Sequence, residues 1–127
     1  MIAMPETDAR NDDAMLPRLD DHDVWTRIEA LPGPALVLVS SVFCGGCRLL
    51  RRRLSGAIAA DPSGRLQERI FELDAGESPG FVQAAEVFHL PALVSVAPGA
   101  EPEELPLEPG LSGEALARAL LAGLEVD

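Results

Sequence analysis

At 127 residues the chain is long enough to bury one hydrophobic core and too short for two; its 47% hydrophobic content, in short blocks broken by Pro and Gly, excludes a disordered or fibrous protein. Every basic residue is Arg and the formal charge is −11, which excludes nucleic acids and anionic membrane surfaces as natural partners. No apolar run reaches the ~20 residues that cross a bilayer.

Residues 1–20 mix Asp, Glu, Arg and Pro without apolar periodicity, which predicts a flexible acidic leader outside the core and a folded domain over 21–127. Residues 1–6 carry neither the basic start nor the apolar stretch of a secretory signal, so a cytoplasmic location is expected. There the thiols rest reduced, and a close Cys pair is more often catalytic or metal-binding than a structural staple. Asp20 or Asp21 is placed to cap a helix with Val24, Ile28 and Leu31 on one face, ending before Pro32-Gly33-Pro34. Trp25 beside that face reads as core filling.

The apolar run 35–39, with breakers before it, predicts a strand buried on both faces. Residues 45–60 follow with Leu50, Leu54 and Ile58 at helical spacing until Asp61-Pro62-Ser63-Gly64 stops them. A second strand over 69–73, reached through a helix, is expected to run parallel to the first by a right-handed crossover. Ser78 and Pro79 mark the start of a short helix to about Phe88, with Phe81, Ala84, Ala85 and Phe88 on its apolar side. A third strand begins at Pro91 and ends before Pro98-Gly99; residues 100–109, interrupted by Pro102 and Pro106, form an edge strand at best. Ser112 caps a last helix carrying Leu116, Leu120 and Leu124.

The chemistry concentrates in Cys44-Gly45-Gly46-Cys47, the only two cysteines, at the start of the second helix. Two Cys three positions apart there lie close enough to close and reopen a disulfide with little backbone movement. Cys44 meets the unpaired N–H groups and the positive end of the macrodipole, so its thiol is expected to ionise below the ordinary ~8.5 and to act as nucleophile. Cys47, one turn inside, resolves the mixed disulfide. Gly45 and Gly46 cost ~1 kcal/mol each in helix propensity relative to Ala and leave the sulfurs open to a partner. Arg48, with Arg51, Arg52 and Arg53, supplies positive charge beside the pair, although a solvated basic face accounts for the same residues. A zinc site would need two further ligands, for which only His22 and His89 are present. A partner-binding domain without turnover is the other alternative.

The element order, with a CxxC after the first core strand and an apolar-Pro step before a later one, resembles the thioredoxin family over roughly residues 22–125. The resemblance implies an α/β fold, a central mixed β-sheet flanked by helices. It implies a cis-proline facing the disulfide at Pro91, after Leu90, and a glycine before the last helix at Gly110, where substrate backbone passes. It implies a thiol–disulfide oxidoreductase without a dissociable cofactor or metal, acting as a monomer on protein or small-molecule disulfides and re-reduced by a reductase or a low-molecular-weight thiol. The sequence departs from the family in four places. Phe43 stands where the family has Trp, and Gly-Gly replaces Gly-Pro. The position of the family's buried carboxylate falls at Leu38, and that of its Lys partner near Ile70. Removal of the Cys47 proton is therefore left to water or to an acid such as Glu72 or Asp74. His89, two residues before Pro91, is a candidate for tuning the thiolate, with an ordinary surface His as the alternative.

Overall fold

The structure, a computed structural model, describes residues 16–42, 44–107 and 110–125. Its first elements are a short strand β1 (Arg18–Leu19), a helix α1 (Val24–Glu29), strand β2 (Ala35–Ser40) and the long helix α2 (Gly45–Ala60). Strand β3 (Ile70–Asp74), helix α3 (Pro79–Ala84), strands β4 (Ala92–Val96) and β5 (Glu103–Glu104) and helix α4 (Gly113–Glu125) follow. The sheet order is β1-β3-β2-β4-β5. β2 runs parallel to β3, with Leu38 opposite Glu72, and antiparallel to β4, with Leu38 opposite Leu93.

β2 is central, and all six of its residues are buried. The period-two alternation of its side chains divides the core into two layers. Leu36 and Leu38 join Leu50, Leu54 and Ile58 of α2 and Leu116 and Leu120 of α4 on one face. Ala35, Val37 and Val39 join Val24, Ile28 and Phe81 on the other. The mixed sheet flanked by helices is thus the expected architecture. Among the described residues no helix is long and apolar enough to cross a membrane.

Four expectations are corrected. Residues 16–19 belong to the core: Leu16 is 4% and Leu19 5% exposed. Leu16 packs toward α2 and α4, and Leu19 packs on the opposite face. β1 adds to the β3 edge in parallel, and the Glu72 N–H donates to the Pro17 carbonyl. Two backbone pairs hold little by themselves, whereas burying a Leu side chain contributes about 1.5–3 kcal/mol, so the leucines anchor the strand. Residues 1–15 of the expected leader lie outside the described residues.

Trp25 is 41% exposed and lies against Phe81 at 5.4 Å between ring centroids, so it covers the core edge and does not fill the interior. The third correction concerns α3, which stops at Ala84 and leaves Phe88 87% exposed. Glu86 adopts φ 56°, Val87 N–H donates to the Val82 carbonyl and Glu86 N–H to that of Gln83. That pattern is a Schellman stop, which buries Val87 in place of Phe88. Ser78 does not cap α3 through its side chain. The carboxylate of Asp21 accepts from the N–H groups of Gly80 and Phe81 at 2.8 and 2.9 Å instead. Neither Asp20 nor Asp21 caps α1, whose N-cap is Asp23 without a side-chain bond; Asp20 organises the turn before it by accepting from the N–H groups of His22 and Asp23.

Candidate active site

The site forms where β2 ends and α2 begins. Cys44 is the N-cap residue of α2 in extended conformation, and its Sγ accepts the Cys47 N–H at 3.1 Å. A sulfur therefore occupies the place that Ser, Thr or Asp usually takes, where unpaired helix N–H groups favour negative charge. Cys44 and Cys47 are joined in a disulfide with Cα atoms 5.4 Å apart. Cys47 is 1% exposed and shares the buried side of α2 with Leu50 and Leu54, whereas Cys44 is only partly buried. The buried sulfur is thus reached from solvent by way of the outer one.

The Leu90–Pro91 peptide bond is cis. The Pro91 ring lies against Gly46, where an added Cβ would come within 3.3 Å of Pro91 Cδ. A side chain at Gly46 would therefore press the proline loop outward by a few tenths of an ångström. Gly45 faces open space. From this junction a groove of about 460 Å³ runs between α2 and the β5 segment, walled by Leu49, Leu50, Pro91, Leu105 and Leu107 with Arg53 and His89 at its edges. A second depression is lined by Val42, Cys44, Gly45 and Arg48.

Gly45 and Arg48 thus share a depression with Cys44, and Pro91 lies against Gly46, whereas His89 lines the groove beyond Pro91. His89 is exposed, and its imidazole Nε2 stands 3.8 Å from the Glu104 carboxylate, across the groove from the disulfide helix. Leu90 packs partly buried against the layer containing Val37 and Phe81. Gly110 is exposed and is not among the described residues that line the groove. Phe43 lies outside the described residues.

Beneath α2 sits a buried carboxylate, Glu72, 1% exposed, one strand away from the Leu38 position and directly opposite it in register. Its oxygens accept from Ser40 Oγ at 2.7 Å and from Arg51 Nε at 3.0 Å, and Arg51 Nη2 makes a further close contact. Arg51 follows Cys47 by one turn of α2, so the network ties the disulfide helix to β3. Asp74, the other acid considered, accepts the N–H groups of Gly76 and Glu77 and so closes the turn after β3. Nothing in residue spacing marks Arg51 as the partner of Glu72. The exposed apolar Val42 and Leu49 also escape periodicity, which registers buried faces only.

No protein-family model matches the chain, and no curated protein does. Solved structures do. The J-Trx1 fragment of ERdj5 superposes with a TM-score of 0.71 at 15% identity, over 91% of this chain and 55% of that one. This chain thus spans about half of that fragment. Mitochondrial thioredoxin 3 from Saccharomyces cerevisiae, in its oxidized form, gives 0.64 at 20% identity over 90% and 97% of the two chains. Chloroplastic thioredoxin z gives 0.62 at 18% over 87% and 94%. At these identities the likeness is one of fold, and the fold is that of the thioredoxins.

Proposed function

We propose that this protein is a thiol–disulfide oxidoreductase that exchanges protein disulfides through Cys44 and Cys47. The observation that carries the reading is the Cys44 sulfur at the N-cap of a sixteen-residue helix, accepting a backbone N–H, with the second sulfur buried behind it. In the reduced protein the Cys44 thiolate attacks one sulfur of a partner disulfide, and the other partner sulfur leaves as a thiolate that solvent protonates. Cys47 then gives its proton to solvent and attacks Cys44 Sγ, which releases the second partner thiolate. The partner gains two electrons and the Cys44–Cys47 disulfide forms. An external dithiol reductase or a low-molecular-weight thiol restores the pair.

Gly45 leaves room for the partner, and Leu90 and Pro91 border its path with Gly46 packed beneath Pro91; Phe43 and Gly110 are assigned a share in that path through the resemblance alone. Arg48 supports the Cys44 thiolate by its charge, and His89 adjusts the groove's polarity. A partner-holding module without turnover is favoured by one observation, the exposure of Leu49 at 62% on the groove wall and of Val42 at 82% in the depression beside Cys44.

Equilibration in thiol–disulfide buffers of graded potential, with alkylation and mass measurement, tests the first reading. A reversible two-electron transition is expected, and a value of about −270 mV would mark a reductase whereas about −120 to −180 mV would mark an oxidant or isomerase. Absence of an intramolecular disulfide at every potential would remove catalysis in favour of the holding module. Cys44→Ser then separates the two, because it abolishes exchange and leaves simple holding intact.

A further inference from the structure

We propose that the partner of this site carries acidic residues beside its cysteine and that Arg48 and Arg52 select it; the inference rests on the oxidoreductase reading above. Four of the chain's 10 basic residues fall within six positions of α2, in a protein of net charge −11. Two of the four are engaged. Arg51 is held by Glu72, and Arg53 donates to the Leu111 carbonyl at 2.7 Å. Arg48 and Arg52 are exposed, and among the described residues neither has a hydrogen-bond or ion-pair partner. Being four apart, they stand one above the other on one face of the helix. Arg48 borders the depression that contains Cys44, and Leu49, 62% exposed, lies between the two arginines and the apolar groove beside Pro91.

That arrangement has a definite complement. At about 1.5 Å of rise per residue Arg48 and Arg52 lie roughly 6 and 12 Å along the helix from Cys44. An extended peptide advances about 3.3 Å per residue, so carboxylates roughly two to four positions from the partner cysteine come level with them. A guanidinium takes a carboxylate through two parallel N–H donors, which fixes orientation as well as charge. The acidic remainder of the molecule repels the same partner, but at physiological salt that repulsion fades beyond about 8 Å, and the adjacent arginines dominate. A basic-flanked partner would meet like charge at the reactive sulfur, so the surface discriminates by rejection as well as by attraction.

The test uses the Cys47→Ser protein, which retains a single thiol at Cys44, and measures mixed-disulfide formation with matched synthetic peptides bearing a thiopyridyl-activated cysteine flanked by Asp, Asn or Lys. Each rate is divided by that of the same peptide with mercaptoethanol, which removes the effect of the flanks on intrinsic reactivity. At physiological salt the Asp peptide is expected to react about five- to tenfold faster than the Lys peptide, with the difference collapsing at high salt. Arg52→Gln should reduce that ratio, and Arg48→Gln with Arg52→Gln should bring it close to one. Reaction of the Arg52→Gln protein with a small uncharged disulfide should remain unchanged. Equal normalised rates for the Asp and Lys peptides, or a preference that survives in the double variant, would overturn the proposal. So would a salt-sensitive dimer, detected by sedimentation and dissociated by Arg52→Gln, because the acidic partner would then be a second copy. Failure of the unsubstituted protein to cycle any disulfide, with the Asp preference intact, would remove the oxidoreductase reading and leave the selective surface standing.

Discussion

Glu72 is a carboxylate almost without solvent, and a charge in that position persists only with partners. Ser40 and Arg51 supply them. Such a pair adds little stability relative to a well-packed apolar pair, because desolvation offsets the attraction, but removal of one member strands the other. Glu72→Gln is therefore expected to lower unfolding free energy by about 3 kcal/mol in a urea titration. Glu72→Leu with Arg51→Met should recover most of that loss. Failure of the paired substitution to recover it would mean that the network does more than neutralise itself.

The stop of α2 is made by Asp61, whose side chain accepts from the N–H groups of Leu66 and Ser63 and from Ser63 Oγ. The backbone N–H of Leu66 is the chief cause, and the Ser63 hydroxyl the next, by which the Asp61 carboxyl is held below its ordinary 3.8. A carboxyl depressed in the folded state contributes stability that is fully present above the unfolded value and is lost as pH falls through the folded value. Thermal melts of the native protein should therefore lose Tm progressively from about pH 4 downward. Asp61→Asn is expected to melt lower at neutral pH and to show a shallower acid slope. Identical slopes would mean that this turn does not govern the acid limb.

The whole molecule is a sheet covered on both faces, and its least regular part, β1, fastens both layers at once. Leu16 faces the α2 and α4 layer and Leu19 faces the α1 and α3 layer. Leu19→Ala is accordingly expected to cost about 2–5 kcal/mol in a denaturant titration, and Arg18→Ala, at an exposed position, less than about 0.5. A small effect of Leu19→Ala would show that residues 16–19 adhere without supporting the core.

Much of this molecule was legible in one dimension. The run 35–39 between breakers, the four-residue spacing of Leu50, Leu54 and Ile58, and the CxxC at that helix's start are local patterns, and local patterns determine local structure: a buried strand, an amphipathic helix, a sulfur at an N-cap. What only the tertiary structure decided depends on residues far apart in sequence. Asp21 caps α3, 59 and 60 residues away, Glu72 faces Leu38 and grips Arg51, and Leu16 and Leu19 enter a core assembled from α1, α2, α3 and α4. Periodicity cannot register two leucines in an acidic stretch, or the pairing of one arginine in a row of three, because their partners come within reach only when the sheet has closed.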